Sequence, residues 1–316
     1  MPDTMTKLRV VYGEEQLGLH GAGFDYLFDY GQGPVSLVIN GKEWLYRAPQ
    51  PAFWRATTDN DRGNGFSRSA AQWLGADLFS HVVAMSITAD GQTVPQPLAP
   101  ANNDFGPGAT ADTVGVSYTY ETPTNPVAKV IVRYTVAAGG ALTVRVRYLG
   151  TAGLPQLPAF GLRLVMPTPT TRFDYAGLPG ETYPDRRSGS KQVCTVQGMP
   201  VTPYLVPQEC GMHMSCDWVR LTRETTLNNA DHADTPYTLT VRGADGPFAF
   251  SCLPYLPSEL ENATHLEELP PVRRTVFTVY GAVRGVGGID SWGAPVQPAY
   301  TIPSDQDCEF AFVINP

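Results

Sequence analysis

Hydrophobic and polar residues alternate with a period of two along much of this chain. Val130-Ile131-Val132-Arg133-Tyr134-Thr135-Val136 and Leu142-Thr143-Val144-Arg145-Val146-Arg147-Tyr148 are rich in β-branched residues, carry polar side chains on one face and flank Ala138-Gly139-Gly140. That is the signature of a hairpin with one buried face. Similar runs recur at 35–39, 162–166, 237–242, 248–251, 275–283 and 310–314. Short strands at such regular recurrence predict an all-β protein built as a large antiparallel sandwich. Helix signals are few. Residues 67–79 place Ala70, Ala71, Trp73, Leu74 and Leu78 in a short amphipathic pattern, and Ser258-Glu259-Leu260-Glu261 fits a capping box opening one or two helical turns up to about His265. Residues 95–108 are rich in Pro, Ala, Asn and Gly. Strand patterns on both sides make this stretch a surface loop within one domain covering residues 1–316.

Composition agrees. Hydrophobic residues make up 42% and charged residues 16% of the 316, enough apolar material for a core. The 31 Gly and 29 Pro are scattered between apolar runs, as many turns require. The net charge of −8 and the lack of a Lys/Arg run argue against a nucleic-acid partner. No basic-then-apolar segment follows Met1-Pro2-Asp3-Thr4, and no apolar run approaches the roughly 20 residues of a membrane helix. A cytoplasmic, soluble chain is expected. Cys194, Cys210, Cys216, Cys252 and Cys308 are odd in number and match no zinc spacing, so they read as free thiols.

Self-sufficient catalytic chemistry is not legible. There is no G-x-S-x-G elbow and no H-E-x-x-H among the five histidines. Gly285-Val286-Gly287-Gly288 leads to Asp290-Ser291-Trp292 rather than to a helix, which fails the dinucleotide-binding context. Carboxylates are numerous, but spacing nominates no pair. The expectation is no catalytic residue and no metal ligand on this chain.

Four segments carry a resemblance. Phe53-Trp54-Arg55-Ala56-Thr57-Thr58-Asp59-Asn60-Asp61-Arg62-Gly63 resembles the W-R-x-x-x-D-N-D-x-G segment opening the C-terminal domain of long bacterial β-galactosidases. Gly180-Glu181-Thr182-Tyr183-Pro184-Asp185-Arg186 resembles their G-x-x-E-x-Y-P-D-R segment with a shorter spacing. Tyr204-Leu205-Val206-Pro207-Gln208-Glu209-Cys210-Gly211 resembles Y-x-x-P-x-E-N-G, with Cys210 where Asn is usual. Gly287-Gly288-Ile289-Asp290-Ser291-Trp292-Gly293 resembles G-G-x-D-S-W. All four occur in family order. The resemblance is closest to the small chain of the two-chain enzymes of lactic acid bacteria, since the polypeptide starts just before this domain.

The resemblance implies a galactose-mutarotase-like supersandwich and a large-chain partner bearing the TIM barrel, both catalytic Glu residues, and magnesium and sodium. The implied reaction is retaining hydrolysis of terminal β-galactosides such as lactose, with the two carboxylates about 5 Å apart. It also implies that Trp292 reaches the active-site mouth and stacks on sugar in the leaving-group or acceptor region. An indole suits that task, since a sugar's C–H face is apolar and the indole N–H can donate a hydrogen bond. Gly287 and Gly288 permit a tight approach, while Asp290 and Ser291 can brace the loop through side-chain-to-backbone bonds. Trp292, Asp290 and Ser291 are therefore the candidate substrate-binding set.

Other residues admit two readings. Trp54 and Arg55 could bind sugar, but a core Trp with Arg55 paired to Asp59 or Asp61 fits better. Asp59-Asn60-Asp61 lacks the later acidic ligand of a calcium loop. Glu181, Asp185 and Arg186 form either a remnant sugar site or, preferably, a buried ion-pair corner. His213 and His265 suit acid–base work only if a carboxylate faces them. A stand-alone aldose mutarotase or epimerase and a carbohydrate-binding module remain as alternatives.

Overall fold

The structure is a computed structural model and describes residues 7–95, 109–231, 235–290 and 292–316. Its strands form three antiparallel sheets. The largest has ten strands, in spatial order Gln192–Gln197, Thr170–Gly177, Trp218–Arg223, Tyr237–Gly243, Cys308–Asn315, Leu142–Leu149, Lys129–Ala137, Thr113–Glu121, His81–Ala89 and Gln92–Val94. A five-stranded sheet runs Met212–Cys216, Phe248–Leu253, Thr275–Val283, Ala159–Met166, Arg47–Ala52, and a six-stranded sheet consists of a five-stranded meander over residues 8–43 with Ala109–Ala111 as its sixth strand at one edge.

The period-two pattern explains the layering. In the predicted hairpin, Lys129–Ala137 pairs with Leu142–Leu149. Val130, Val132, Tyr134, Val136, Leu142, Val144, Val146 and Tyr148 are buried, while the intervening residues are not. The ten-stranded sheet thus buries one face, and the two smaller sheets share it. Phe160 of the five-stranded sheet meets Tyr148 at 5.8 Å and Phe310 at 5.6 Å between ring centroids. Tyr26 of the meander donates to Gly140 O at 2.8 Å, and Tyr118 to Asp29 O at 2.9 Å. Ala159–Met166 and Phe248–Leu253 are buried at every position. Strands covered on both faces need continuous apolar runs, which explains why alternation is weak there.

The helical expectations need correction. Residues 66–79 form two short helices, Phe66–Ser69 and Gln72–Phe79. Trp73 is buried, stacks on Phe53 at 5.3 Å and donates to Pro155 O at 2.9 Å, whereas Leu78 is half exposed. The later helix is Pro257–Asn262, and Glu259, not Glu261, accepts from its N-terminal Leu256 N–H at 2.7 Å. The loop expected at 95–108 lies outside the described residues from 96 onward. Cys210, Cys216 and Cys252 are buried, and all five thiols are free. No helix among the described residues is long and apolar enough to cross a membrane.

One buried carboxylate directs the chain out of the five-stranded sheet. After the edge strand Arg47–Ala52, Asp77 accepts from Phe53 N at 2.9 Å and Trp54 N at 3.1 Å, and pairs with the buried Arg163. Arg163 in turn donates to Trp54 O at 3.2 Å. Removing one member of such a pair leaves an uncompensated buried charge, at a cost of about 3–5 kcal/mol. Asp77→Ala is expected to lower unfolding free energy by that amount in denaturant titration; a loss below about 1 kcal/mol would show that Arg163 finds another partner.

Candidate functional site

The four motif segments, far apart in sequence, are tied together by hydrogen bonds: the first reaches the third through Arg62 and Pro207 O, and the first and second both hold the loop that carries the fourth, through Asn60, Asp185 and Arg186. In the first segment Asp61 is buried to 1% exposure on the short helix Asp59–Gly63. Asp61 accepts from Arg55 Nη1 at 2.7 Å, Arg284 Nη1 at 2.9 Å and Thr58 N at 3.0 Å. Burial alone would raise this carboxyl, but Arg55, Thr58 and Arg284 outweigh it and hold the pKa below the usual carboxylate value. Arg284 stacks its guanidinium 3.6 Å from the centroid of Phe66, and Arg55 also donates to Gly285 O at 3.0 Å. The choice of Asp61 over Asp59 as partner for Arg55 follows from burial. Asp59 lies exposed at the helix start, exchanging bonds of 2.9 and 3.1 Å with Gln208.

Trp54 is a core residue, 1% exposed, with its indole N–H on Glu261 at 3.2 Å. Glu261 also accepts from Thr57 N at 2.7 Å and Thr57 Oγ1 at 2.6 Å. The carboxylate that resembled a helix cap therefore stitches the first motif to the helix Pro257–Asn262.

Residues 285–293 leave the buried end of strand Thr275–Val283 as a loop held on several sides. Asp185 accepts from Val286 N at 2.9 Å and Gly287 N at 2.8 Å. Asn60 Nδ2 donates to Val286 O at 3.1 Å, and Arg186 donates to Gly287 O. Gly287 and Gly288 have φ of +69° and +73°, a region side chains disfavour, and a Cβ on Gly288 would lie 2.7 Å from Asn60 Nδ2. At the tip, Asp290 accepts from Trp292 N at 3.0 Å and Ala294 N at 3.1 Å. Trp292 is 92% exposed. Ser291 lies outside the described residues.

Glu181, Asp185 and Arg186 thus form no ion-pair corner. Asp185 and Arg186 spend their bonds on the loop backbone, and Glu181 accepts from Thr202 Oγ1 and Gly211 N, both at 3.0 Å. The third motif joins through Arg62, which donates to Pro207 O at 3.1 Å. Cys210 sits in a small apolar cluster with Ala56, Leu253 and Leu260, its thiol pushed up to about 12 by burial. His213 faces Phe173, Tyr175 and Phe250, with its ring nitrogen Nδ1 2.9 Å from Gly180 O, and burial lowers its pKa to about 4. His265 is exposed and paired with Glu268 at 3.0 Å. Among the described residues, no group of three or more His, Cys, Asp or Glu is placed to hold a metal ion. Arg284 and Gln208 received no role from sequence. The one available hint for Arg284 was a charge at the end of the apolar strand Thr275–Val283.

Glu209 completes the cluster. Burial raises its pKa from 4.5 to about 8, against the pull of Arg55 and with help from Glu181 and Asp61. It is therefore protonated in the folded state at pH 7. Because the folded pKa exceeds the unfolded one, its stabilising contribution is full below about pH 4.5 and is lost as pH rises towards 8. Glu209→Gln should remove a decline of up to about 1.4 kcal/mol per pH unit across that window, read from denaturant midpoints at several pH values. Parallel pH profiles for the two proteins would contradict it. Asp61 has the opposite sign: its depressed pKa contributes stability above the unfolded value, about 3.9, that disappears as pH falls through the folded one. Asp61→Asn is expected to cost about 3–5 kcal/mol at pH 7, with the gap narrowing below pH of about 4. A gap independent of pH would mean that shape, not charge, is what Asp61 supplies.

A family model described as the beta galactosidase small chain matches residues 20–314. The β-galactosidase small subunit of Latilactobacillus sakei is 55% identical over 317 residues, covering 100% of both chains. The β-galactosidase of Halalkalibacterium halodurans is 36% identical over 98% of this chain and 28% of that protein. For the Streptococcus thermophilus β-galactosidase the identity is 33%, again over 98% and 28%. The chain therefore spans the whole of one relative and little more than a quarter of the others. Among solved structures, a galactose mutarotase-like protein from Lactobacillus casei aligns over 95% of this chain and 99% of its own, at 11% identity and a TM-score of 0.42. By sequence over nearly its entire length, this chain belongs to the β-galactosidase small-chain family.

Proposed function

We propose that the chain works with a separate large chain as a β-galactosidase, offering Trp292 as a stacking surface for sugar and leaving the catalytic carboxylates to the partner. The observation that carries this is the 92% exposure of Trp292 at the tip of a loop whose base is fixed by two other family segments. Burying a large apolar side chain is worth roughly 1.5–3 kcal/mol. A fold that braces a loop and leaves such a group in water has it free for a ligand or partner to cover. Leu205, 87% exposed in the segment tied to Arg62, and Ile289, 56% exposed beside Trp292, add apolar surface suited to the large chain.

In this reading the large chain's two Glu residues perform the retaining displacement on galactose of lactose and similar β-galactosides, and its magnesium and sodium stay with it. Trp292 meets the leaving group or acceptor, and Asp290 holds its backbone. The five free thiols suit a reducing, cytoplasmic setting. Residues 1–316 act as one supersandwich domain, consistent with a continuous buried cluster drawing on all three sheets. Stand-alone mutarotase chemistry needs a His facing a carboxylate in a cleft, and neither His213 nor His265 is so placed.

The purified chain is expected to be silent on nitrophenyl-galactoside alone, and to give activity that saturates at a fixed ratio when titrated with large chain. Turnover by the isolated chain would end this division of labour. In the complex, Trp292→Ala should raise KM for lactose about 2- to 10-fold, the range of an aromatic contact worth about 0.5–1.5 kcal/mol, with inhibition by galactose little changed. Equal weakening of galactose inhibition would place the indole elsewhere.

A further inference from the structure

Asp185 spends both carboxylate oxygens on two consecutive backbone N–H groups at the root of the Trp292 loop. We infer that Asp185 is a positioning residue for the sugar-stacking indole, acting through the backbone of residues 286–288. The inference rests on the reading of Trp292 given above.

The geometry is specific. Oδ1 takes Val286 N–H at 2.9 Å and Oδ2 takes Gly287 N–H at 2.8 Å. A carboxylate is the side chain suited to two donors at once, since it accepts on both oxygens and donates nothing. Such charge-assisted bonds are shorter and stronger than neutral ones. The fit around it is close: a Cβ on Gly285 would lie 2.6 Å from Asp185 Oδ2. The carbonyls of the same two residues are fixed as well, Val286 O by Asn60 Nδ2 and Gly287 O by Arg186. All four polar backbone groups of this dipeptide are thus tied to side chains from two other segments. The far end of the loop returns to the same helix, with Gly293 placed so that a Cβ would lie 3.8 Å from Gly63 O.

Between root and tip, Asp290 closes a turn on Trp292 N and Ala294 N. The indole's placement is then set by where residues 286–288 stand relative to the fold. The indole has no packing of its own to hold it, being 92% exposed. Small displacements of a substrate-positioning group are costly to binding and rate. Asp185 touches neither substrate nor reacting atoms.

The test uses the assembled two-chain complex, with lactose as substrate and galactose as inhibitor. Asp185→Asn leaves one acceptor and turns an amide towards an N–H, so the loop root loses a bond. Expected is a rise in lactose KM matching that of Trp292→Ala within about twofold, galactose inhibition unchanged, and the same midpoint when large chain is titrated. The double variant Asp185→Asn/Trp292→Ala should be no worse than Trp292→Ala alone, since one residue acts through the other. Multiplying effects in the double variant would overturn the inference, as would a loss traced to weaker assembly. Should Asp185→Asn fail to fold, Asn60→Ala removes the bond to Val286 O from an exposed position. It should shift KM in the same sense and show the same non-additivity; an unchanged KM would overturn the proposal. If Trp292→Ala itself leaves KM unchanged, the stacking reading falls. If Trp292→Ala shifts KM and Asp185→Asn does not, only the positioning role falls.

Discussion

A single carboxylate with 1% exposure ties the first family segment to the root of the Trp292 loop, because two guanidinium groups far apart in the sequence have been taken out of water beside it. Arg55 precedes Asp61 by six residues, whereas Arg284 lies at the root of the Trp292 loop. Neither arginine has another carboxylate at hydrogen-bonding distance among the described residues, and Arg55 also reaches Gly285 O. Buried ion pairs add little net stability compared with apolar packing, but they punish separation heavily. That asymmetry suits the task of holding a particular loop against a particular helix. Glu209, whose pKa burial raises to about 8 despite the pull of Arg55, adds little negative charge beside Asp61 at neutral pH.

From this anchor the site is built outwards by backbone capture. Asp77 takes the first motif's N–H groups as it leaves the edge strand, Asp185 takes those of the Trp292 loop, Asp290 closes the tip and Glu181 holds the third segment at Gly211. Loops cannot satisfy their polar backbone within a ladder, so a loop of fixed shape needs such partners. The result ties down the base of the loop and leaves Trp292 in solvent at its tip.

Much of this was legible in advance, but unevenly. Alternation in 130–148 named a hairpin and its inward face, because burial on one side imposes period two. The strands covered on both sides lost that signal, although their apolar runs still marked them. Residues 67–79 fit one amphipathic pattern by spacing yet belong to two helices, and on the second Trp73 packs against Phe53 while Leu78 turns to solvent, since a helical wheel does not reveal which neighbour will be present. Glu261 fitted a capping box by spacing, yet went to Trp54 and Thr57, since a buried indole and an N–H compete for the same carboxylate.

By itself, the sequence determined the all-β class and the family, because these rest on local pattern and on motif identity. It did not determine that Asp61 rather than Asp59 receives Arg55, that Arg284 is its second partner, or that Asp185 and Arg186 clamp a loop instead of pairing with each other. Those outcomes depend on which groups become desolvated together, and desolvation is a property of the folded assembly of segments. Residues 55, 61, 185 and 284 are neighbours only once the chain has folded; until then each is an ordinary charged residue in water.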